Sequence, residues 1–205
     1  MNLPIAVANL PRVGRAARPR SEAGSVGALP PTIETEPGAN GAVGLVAAPA
    51  GMSVAMAGIE LRSPAFNDHD LMPERFSRSA DNVSPPLQWS AAPEGTEELV
   101  LLCEDAEGRP EPFLHWLVTG IDPRATGVGE DQVPEGGQEW PNGFGTIGWG
   151  GPQPPKGDEP HRFFFHLYAV SEPLDLGPRP TAEEARRAAE QRELASGTIV
   201  GLFAR

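Results

Sequence analysis

Three side chains that can hold or transfer a proton stand where predicted β-strands begin or end: Asp105, His115 and His161. Successive side chains of a strand alternate between its two faces, so each group shares a face with mostly apolar residues of its own strand. These neighbours are Leu99, Leu101 and Cys103 for Asp105, Leu117, Thr119 and Ile121 for His115, and Phe163, Phe165 and Leu167 for His161. If the three strands are neighbours, the carboxylate and both imidazoles converge on one shallow pocket.

Such a trio can support two kinds of chemistry. A protonated histidine beside a carboxylate makes strong, charge-assisted hydrogen bonds to a small anion, and Asp105 would orient a histidine or accept from a ligand amine. The same groups could instead hold a metal ion, or use a histidine as the general base of a hydrolase. No spacing motif supports either enzyme, and no serine or cysteine nucleophile stands beside the trio. The sequence therefore favours binding, with no catalytic residue, metal or cofactor predicted.

A glycine-rich segment, residues 143–152, lies between the two histidines. Glycine lets the backbone approach a ligand closely and lets successive amides point the same way. The segment is therefore a candidate donor of N–H groups to phosphate or carboxylate oxygens, with Trp116 as a further wall of the pocket. The residues assigned to the site from this segment are Gly148, Trp149, Gly150, Gly151 and Pro152.

The elements that must position these groups are mostly strands. Apolar runs bounded by turn residues predict strands at Ile59–Phe66, Leu87–Ser90, Glu98–Glu104, His115–Ile121, Arg162–Val170 and Thr198–Ala204. One helix is predicted over residues 181–196, because Thr181 and Glu184 form a capping-box pattern and Gly197 stands where a C-terminal glycine belongs. These elements indicate a mainly β domain, either a sandwich or a barrel.

The chain of 205 residues carries a formal net charge of -12. An acidic surface repels phosphate backbones and anionic headgroups at long range, so nucleic acid is not an expected partner. No stretch reaches the ~20 apolar residues of a membrane helix, so no integral membrane segment is expected. The single cysteine, Cys103, lies in an apolar run and is predicted to be a buried thiol, which requires no oxidising compartment.

Residues 1–51 differ from the rest of the chain. They contain no aromatic residue, and their four Arg and three Glu give +1, which leaves -13 for the remainder. Such a composition buries too little surface to offset the entropy of ordering. We predict a low-complexity arm, unstructured or ordered by a protein partner, before a domain at residues 52–205; a true start at Met52 is the alternative. No apolar secretory segment follows the arginines, which favours the cytoplasm over secretion or the periplasm.

Short motifs follow one another along residues 59–205. They are Met72-Pro73 with Phe76, Asn82–Trp89, Pro93–Thr96, Cys103–Glu107, His115-Trp116, Gly150–Pro155, Gly157-Asp158 and His161–Phe163. This ordered set resembles the phosphatidylethanolamine-binding protein family, in particular its bacterial Raf-kinase-inhibitor-like branch. The resemblance implies a β-sandwich-like fold with short peripheral helices.

The resemblance also implies a non-catalytic binding or regulatory protein, with a pocket for phosphate, a phosphoryl headgroup or a similar small anion. It assigns this pocket to Asp105, His115 and His161, with Glu107 and Phe163 beside them. Phe163 replaces a family tyrosine and so removes a hydroxyl donor. The family includes kinase and protease inhibitors that dock through a surface. A protein partner bound through residues 1–51 and a homodimer are therefore further hypotheses.

Overall fold

The computed structural model describes residues 58–108 and 110–205, so the predicted arm at residues 1–51 lies outside the described residues. The strands are β1 Leu61–Arg62, β2 Asp70–Leu71, β3 Leu87–Trp89, β4 Glu98–Asp105, β5 Phe113–Ile121, β6 Gly127–Val128, β7 Gln138–Glu139, β8 His161–Val170 and β9 Glu193–Phe203. A 3-10 turn at Glu74–Phe76 and the helix α1, Ala182–Glu190, complete the described elements. The prediction of a mainly β domain is confirmed. Within the described part of the chain, no helix has the length and apolar character needed to cross a membrane.

The strands form two sheets that share a core. The larger sheet has the order β2-β9-β8-β4-β5-β7, and the smaller has the order β1-β3-β6. Because side chains alternate along β4, Leu101 packs toward Trp89 of the small sheet, whereas Leu102 packs under α1 with Ala185. β4 is buried along its whole length, with β5 and β8 paired to its two edges. Cys103 is a buried free thiol in this strand, as predicted.

The helix α1 begins as predicted but ends earlier. Thr181 Oγ1 accepts a hydrogen bond of 3.1 Å from the Glu184 amide, and the Glu184 carboxylate accepts one of 2.9 Å from the Thr181 amide. These two bonds are the predicted capping box. The helix ends at Glu190 rather than at residue 196, so the predicted C-terminal end is wrong.

Residues 193–203 form β9 instead of the last helical turns. This strand pairs antiparallel with β8 along its whole length, and Gly197 lies opposite Leu167 in the middle of it. A methyl group on Gly197 would overlap the carbonyl oxygen of Ile59, so this glycine permits a close backbone contact and does not end a helix. The long-range pairing outweighs the local helix propensity of this segment.

Replacing Thr181 by alanine is expected to lower the free energy of unfolding by about 1 kcal/mol, because the Glu184 amide in the first helical turn loses its acceptor, Thr181 Oγ1. Urea unfolding followed by circular dichroism measures the loss. Thr181→Ser is the matched control, since it keeps the capping oxygen and should stay within ~0.5 kcal/mol of the original protein. An equal loss in both variants would contradict a capping role.

Candidate functional site

A cavity of about 710 Å³ opens where β4 ends and where β5 and β8 begin. Its lining comprises Asp105, Glu107, Gly108, Phe113, His115, Phe144, Gln153, Pro154, Pro155, Gly157, Asp158, Glu159, Pro160 and His161. β4 and β8 are antiparallel, so the end of one strand meets the start of the other. The structure thus brings together four predicted site residues: Asp105, Glu107, His115 and His161.

Asp105 and His161 form the polar centre of this cavity. The Nδ1 atom of His161 lies 2.8 Å from Oδ2 of Asp105, and their side chains are only 13% and 9% exposed. The other carboxylate oxygen, Oδ1, accepts a hydrogen bond of 2.9 Å from the Glu107 amide. The carboxylate is therefore held on both oxygens and fixes the imidazole ring, as the strand alternation predicted for these two residues.

His115 reaches the same cavity by a different route from the one predicted. Regular alternation would place it with Leu117, but Leu117 packs in the cluster under α1. The register of β5 against β4 shifts between Cys103, opposite Trp116, and Glu104. This bulge gives β5 one additional residue, so His115 and Trp116 both turn toward the core between the sheets. The predicted shared face of His115 and Leu117 is wrong for this reason.

His115 is a neutral acceptor rather than a cationic donor. Its side chain is 2% exposed, and Nδ1 contacts the carbonyl oxygen of Gly150, so this nitrogen carries the hydrogen. Burial lowers the pKa of His115 from 6.5 to about 4, although the Gly150 carbonyl and Asp105 partly oppose that shift. The ring is therefore uncharged near neutral pH, and Nε2 is left as an acceptor. The hypothesis that His115 donates to a ligand anion does not hold there.

The glycine-rich segment does not offer a row of free amides. Its amides donate within the protein: Gly143 to the Leu114 carbonyl, Gly145 to Asn142, Gly148 to Trp140, Gly150 to His115 and Gly151 to the Asn82 side chain. These five amides are therefore already engaged within the protein and are not free to cradle an anion, as the sequence had suggested. Gly150 instead accepts from His115 Nδ1 and donates to its carbonyl, which holds the segment against β5.

The other predicted site residues lie around the cavity without lining it. These are Trp116, Gly148, Trp149, Gly150, Gly151, Pro152 and Phe163. Phe163 is buried beneath the site, with its ring centre 5.0 Å from that of His115. Trp149 donates to the carbonyl of Phe76 and stacks on Phe165, so it anchors the glycine-rich segment to the core. Phe163, Trp149 and Gly150 contact the ring of His115 from outside the cavity lining.

Ten of the lining residues were not assigned from the sequence, among them Phe113, Phe144, Pro154 and Asp158. Pro154 and Asp158 belong to motifs that were already recognised, so the signal was present in the sequence. Phe113 and Phe144 carry no such signal, because their rings meet at 4.7 Å only after folding. Gly143 allows this approach, since a methyl group there would overlap the Phe113 ring.

The cavity is acidic. Asp105, Glu107, Asp158 and Glu159 line it, and among residues 58–108 and 110–205 no lysine or arginine belongs to its lining. Burial would raise the pKa of Glu107, but hydrogen bonds from Arg162 outweigh that effect and lower it. A larger cavity of about 1060 Å³ lies beside the small sheet, but histidine is absent from its lining. The smaller cavity is therefore the better candidate for a site.

Asp105, Glu107 and His161 also offer potential metal-ligand atoms, all within 4.8 Å of one another. The metal alternative considered from the sequence used Asp105 with both histidines, whereas this set contains Glu107 and not His115. Both oxygens of Glu107 already bind Arg162, and Asp105 binds His161 and the Glu107 amide. A metal ion would have to displace these hydrogen bonds, so the arrangement fits a hydrogen-bonding site better than a metal centre.

Comparison with known sequences supports one family. The profile of the phosphatidylethanolamine-binding protein family matches residues 62–204. A UPF0098 protein of Methanothermobacter thermautotrophicus is 36% identical over 152 residues, which covers 72% of this chain and 99% of the relative. A Mycobacterium tuberculosis protein that carries the name of a lipoprotein, LppC, is 37% identical over 145 residues and is matched over 72% of its length, against 71% of this chain.

Solved structures share the fold. CT736 of Chlamydia trachomatis, described as a phosphatidylethanolamine-binding protein homologue, has a TM-score of 0.64 at 27% identity and covers 72% of this chain and 98% of its own. YbcL of E. coli has a TM-score of 0.67 at 24% identity over 73% of this chain and 99% of its own, which supports the fold alone.

The fold and the cavity define a β-sandwich protein of the ligand-binding class. The chain belongs to the phosphatidylethanolamine-binding protein family. Membership of this family supports the broad assignment of the chain as a non-catalytic binding protein.

Proposed function

We propose that this protein binds a small anion, phosphate or a phosphoryl headgroup, in the cavity at Asp105, His115 and His161, without catalysing a reaction. The observation that carries the proposal is the bond of 2.8 Å between His161 Nδ1 and Asp105 Oδ2, placed at a cavity of about 710 Å³. That volume lies within the usual range for small-molecule sites. The carboxylate holds Nδ1 of the ring, and the opposite nitrogen, Nε2, donates its hydrogen to a ligand oxygen.

The two histidines have different roles in this proposal. His161 is the donor, because its ring is partnered by a carboxylate. His115 is the acceptor, since it is neutral and takes a hydrogen bond from a protonated ligand oxygen or an amine. Phe113 and Phe144 form an apolar wall that limits water around the bound group. Together these groups recognise a ligand that carries both an acceptor and a donor.

Glycerophosphorylethanolamine is expected to bind more tightly at pH 6 than at pH 8, because an imidazole that donates to an anion as a cation is favoured by acid. The phosphodiester keeps one negative charge over this range, so the change reports on the protein. His161→Asn should weaken binding about tenfold at pH 6, which corresponds to ~1.4 kcal/mol for a charged hydrogen bond. Isothermal titration calorimetry at both pH values provides the measurement.

His115→Asn is the matched control for this titration. His115 is uncharged at both pH values, so its replacement should keep the pH dependence even if it weakens binding overall. Equal affinity of the original protein at pH 6 and pH 8 would rule out His161 as the cationic donor. Release of ethanolamine or glycerol during the titration, by hydrolysis of one ester bond, would instead favour the hydrolase alternative.

The regulatory part of the proposal concerns a protein partner. Family members that inhibit kinases or proteases are the basis for the alternative of surface docking, either through residues 1–51 or as a homodimer. A cytoplasmic location is part of the same proposal. One relative carries the name of a lipoprotein, so cell fractionation of the native protein is the direct check of location.

A further inference from the structure

The positive side chains of this protein are almost all arginines. Of its 16 lysine and arginine residues, all are arginine except one, Lys156. The two residue types differ in chemistry, because a lysine amine can be acylated whereas a guanidinium keeps its charge and does not react in this way. Any acylation of a side-chain amine in this chain therefore takes place at Lys156.

Lys156 lies in a tight turn that presents it to solvent. The Asp158 amide donates to the Pro155 carbonyl across the turn, and Gly157 has a φ of 87°, as a type II turn requires at its third position. The Gly157 amide also donates, at 3.1 Å, to the carbonyl of Arg205, which follows β9. Lys156 occupies the second position of this turn and is exposed. The amine is therefore accessible and is carried by an anchored backbone.

The same turn borders the cavity of the candidate site. Pro155 and Gly157, the neighbours of Lys156 on either side, both line the cavity, although Lys156 itself does not. Within residues 58–108 and 110–205, no carboxylate forms a salt bridge with Lys156, and Asp158 lies 3.8 Å from His161 Nε2 instead. The ammonium group is thus an unpaired positive charge beside an acidic cavity.

We propose that Lys156 is an acylation site, and that its acylation weakens anion binding in the adjacent cavity. The unprotonated amine attacks the carbonyl carbon of an acyl phosphate or an acyl thioester, and a new N–C amide bond forms. The bond from that carbon to the phosphate oxygen or the thiolate sulfur breaks, its electron pair leaves with the phosphate or thiolate, and the amine proton passes to water. The product amide is neutral, so the rim of the cavity loses one positive charge. The effect on binding rests on the proposed function, whereas the modification itself does not.

The first experiment tests the modification. The full chain is incubated with acetyl phosphate or with acetyl coenzyme A, in separate arms that distinguish the two donor classes, and each arm contains Nα-acetyl-lysine methylamide as a reference amine. Mass spectrometry of proteolytic peptides should find an acetyl group on Lys156 in at least one arm, and Lys156→Arg should carry none at this position. An unmodified Lys156 in both arms, while the reference amine is acetylated, would overturn the assignment of the site.

The second experiment tests the effect on binding, by calorimetry with glycerophosphorylethanolamine. Acetylation should weaken binding about threefold at ~0.01 M salt, where the Debye length is ~30 Å, and the difference should vanish at ~1 M salt, where it is ~3 Å. Lys156→Gln should reproduce the loss without acetylation, and Lys156→Arg should bind like the original protein before and after treatment. Arg62→Gln is the control for overall charge, because Arg62 is exposed and lies outside the cavity lining, so its replacement should weaken binding less than Lys156→Gln.

Each outcome of the calorimetry has a distinct meaning. Equal affinity of the acetylated and the original protein at low salt would overturn the effect on binding while the anion site stands. A loss that persists at high salt would also overturn it, since a displaced turn and not a missing charge would then be the cause. Failure of the unmodified protein to bind glycerophosphorylethanolamine would overturn the proposed function together with this effect, whereas acetylation of Lys156 is measured independently of both.

Discussion

Lowering the pH from 7 to 4 is expected to remove about 3 kcal/mol from the free energy of unfolding through His115 alone. The unfolded chain takes up a proton on this residue as the pH falls through 6.5, whereas the folded protein resists protonation until about pH 4. The unfolded state therefore binds more protons in this window, and stability falls as the pH falls. The cause is the burial of the ring among aromatic side chains, where a charge is poorly solvated.

The measurement is chemical unfolding of the original protein and of His115→Gln at pH 7 and pH 4. The variant is less stable at pH 7 but lacks the titrating ring, so its loss between the two pH values should be about 3 kcal/mol smaller. Carboxylates with lowered pKa values, such as Asp68 and Glu107, also lose stability in acid but contribute equally to both proteins. An identical loss in both proteins would show that His115 is protonated in the folded state.

Replacing Gly151 by alanine is expected to cost about 3 kcal/mol of stability or more, at the upper end for overpacking. A methyl group there would overlap the carbonyl oxygen of Phe76 and lie 2.7 Å from the amide nitrogen of Arg78. Both are backbone atoms, so no side chain can rotate to make room. The Gly151 amide also donates to Asn82 at 2.8 Å, and a shift of the segment would strain that bond.

Thermal unfolding and ligand titration of the Gly151 variant measure both consequences. Gly150 holds the ring of His115, so a displaced segment should weaken binding of glycerophosphorylethanolamine as well as lower the melting temperature. Gly177→Ala is the matched control, because a methyl group added at Gly177 would have no neighbouring atom within 4 Å. A Gly151 variant as stable as the Gly177 variant would show that the contact with Phe76 is not rigid.

Local patterns in the sequence predict those strands and helix ends that depend only on residues close to one another along the chain. The long strands β4, β5 and β8 begin and end within two residues of their predicted bounds, since apolar runs and turn residues define them. The capping box at Thr181 likewise needs only residues three positions apart. The end of α1 could not be found this way, because pairing with β8 converts the following residues into a strand.

The sequence by itself determined the mainly β class, the family motifs and the polar groups at the strand ends. It placed Asp105 and His161 on inward faces correctly, because both strands are regular there. Only the tertiary structure decided how His115 reaches the cavity, since that depends on a bulge between β4 and β5. It also brought the guanidinium of Arg78 over the ring of Phe144 at the cavity, a contact across 66 positions of sequence that no local pattern encodes. Burial, which exists only in the folded chain, then makes His115 neutral.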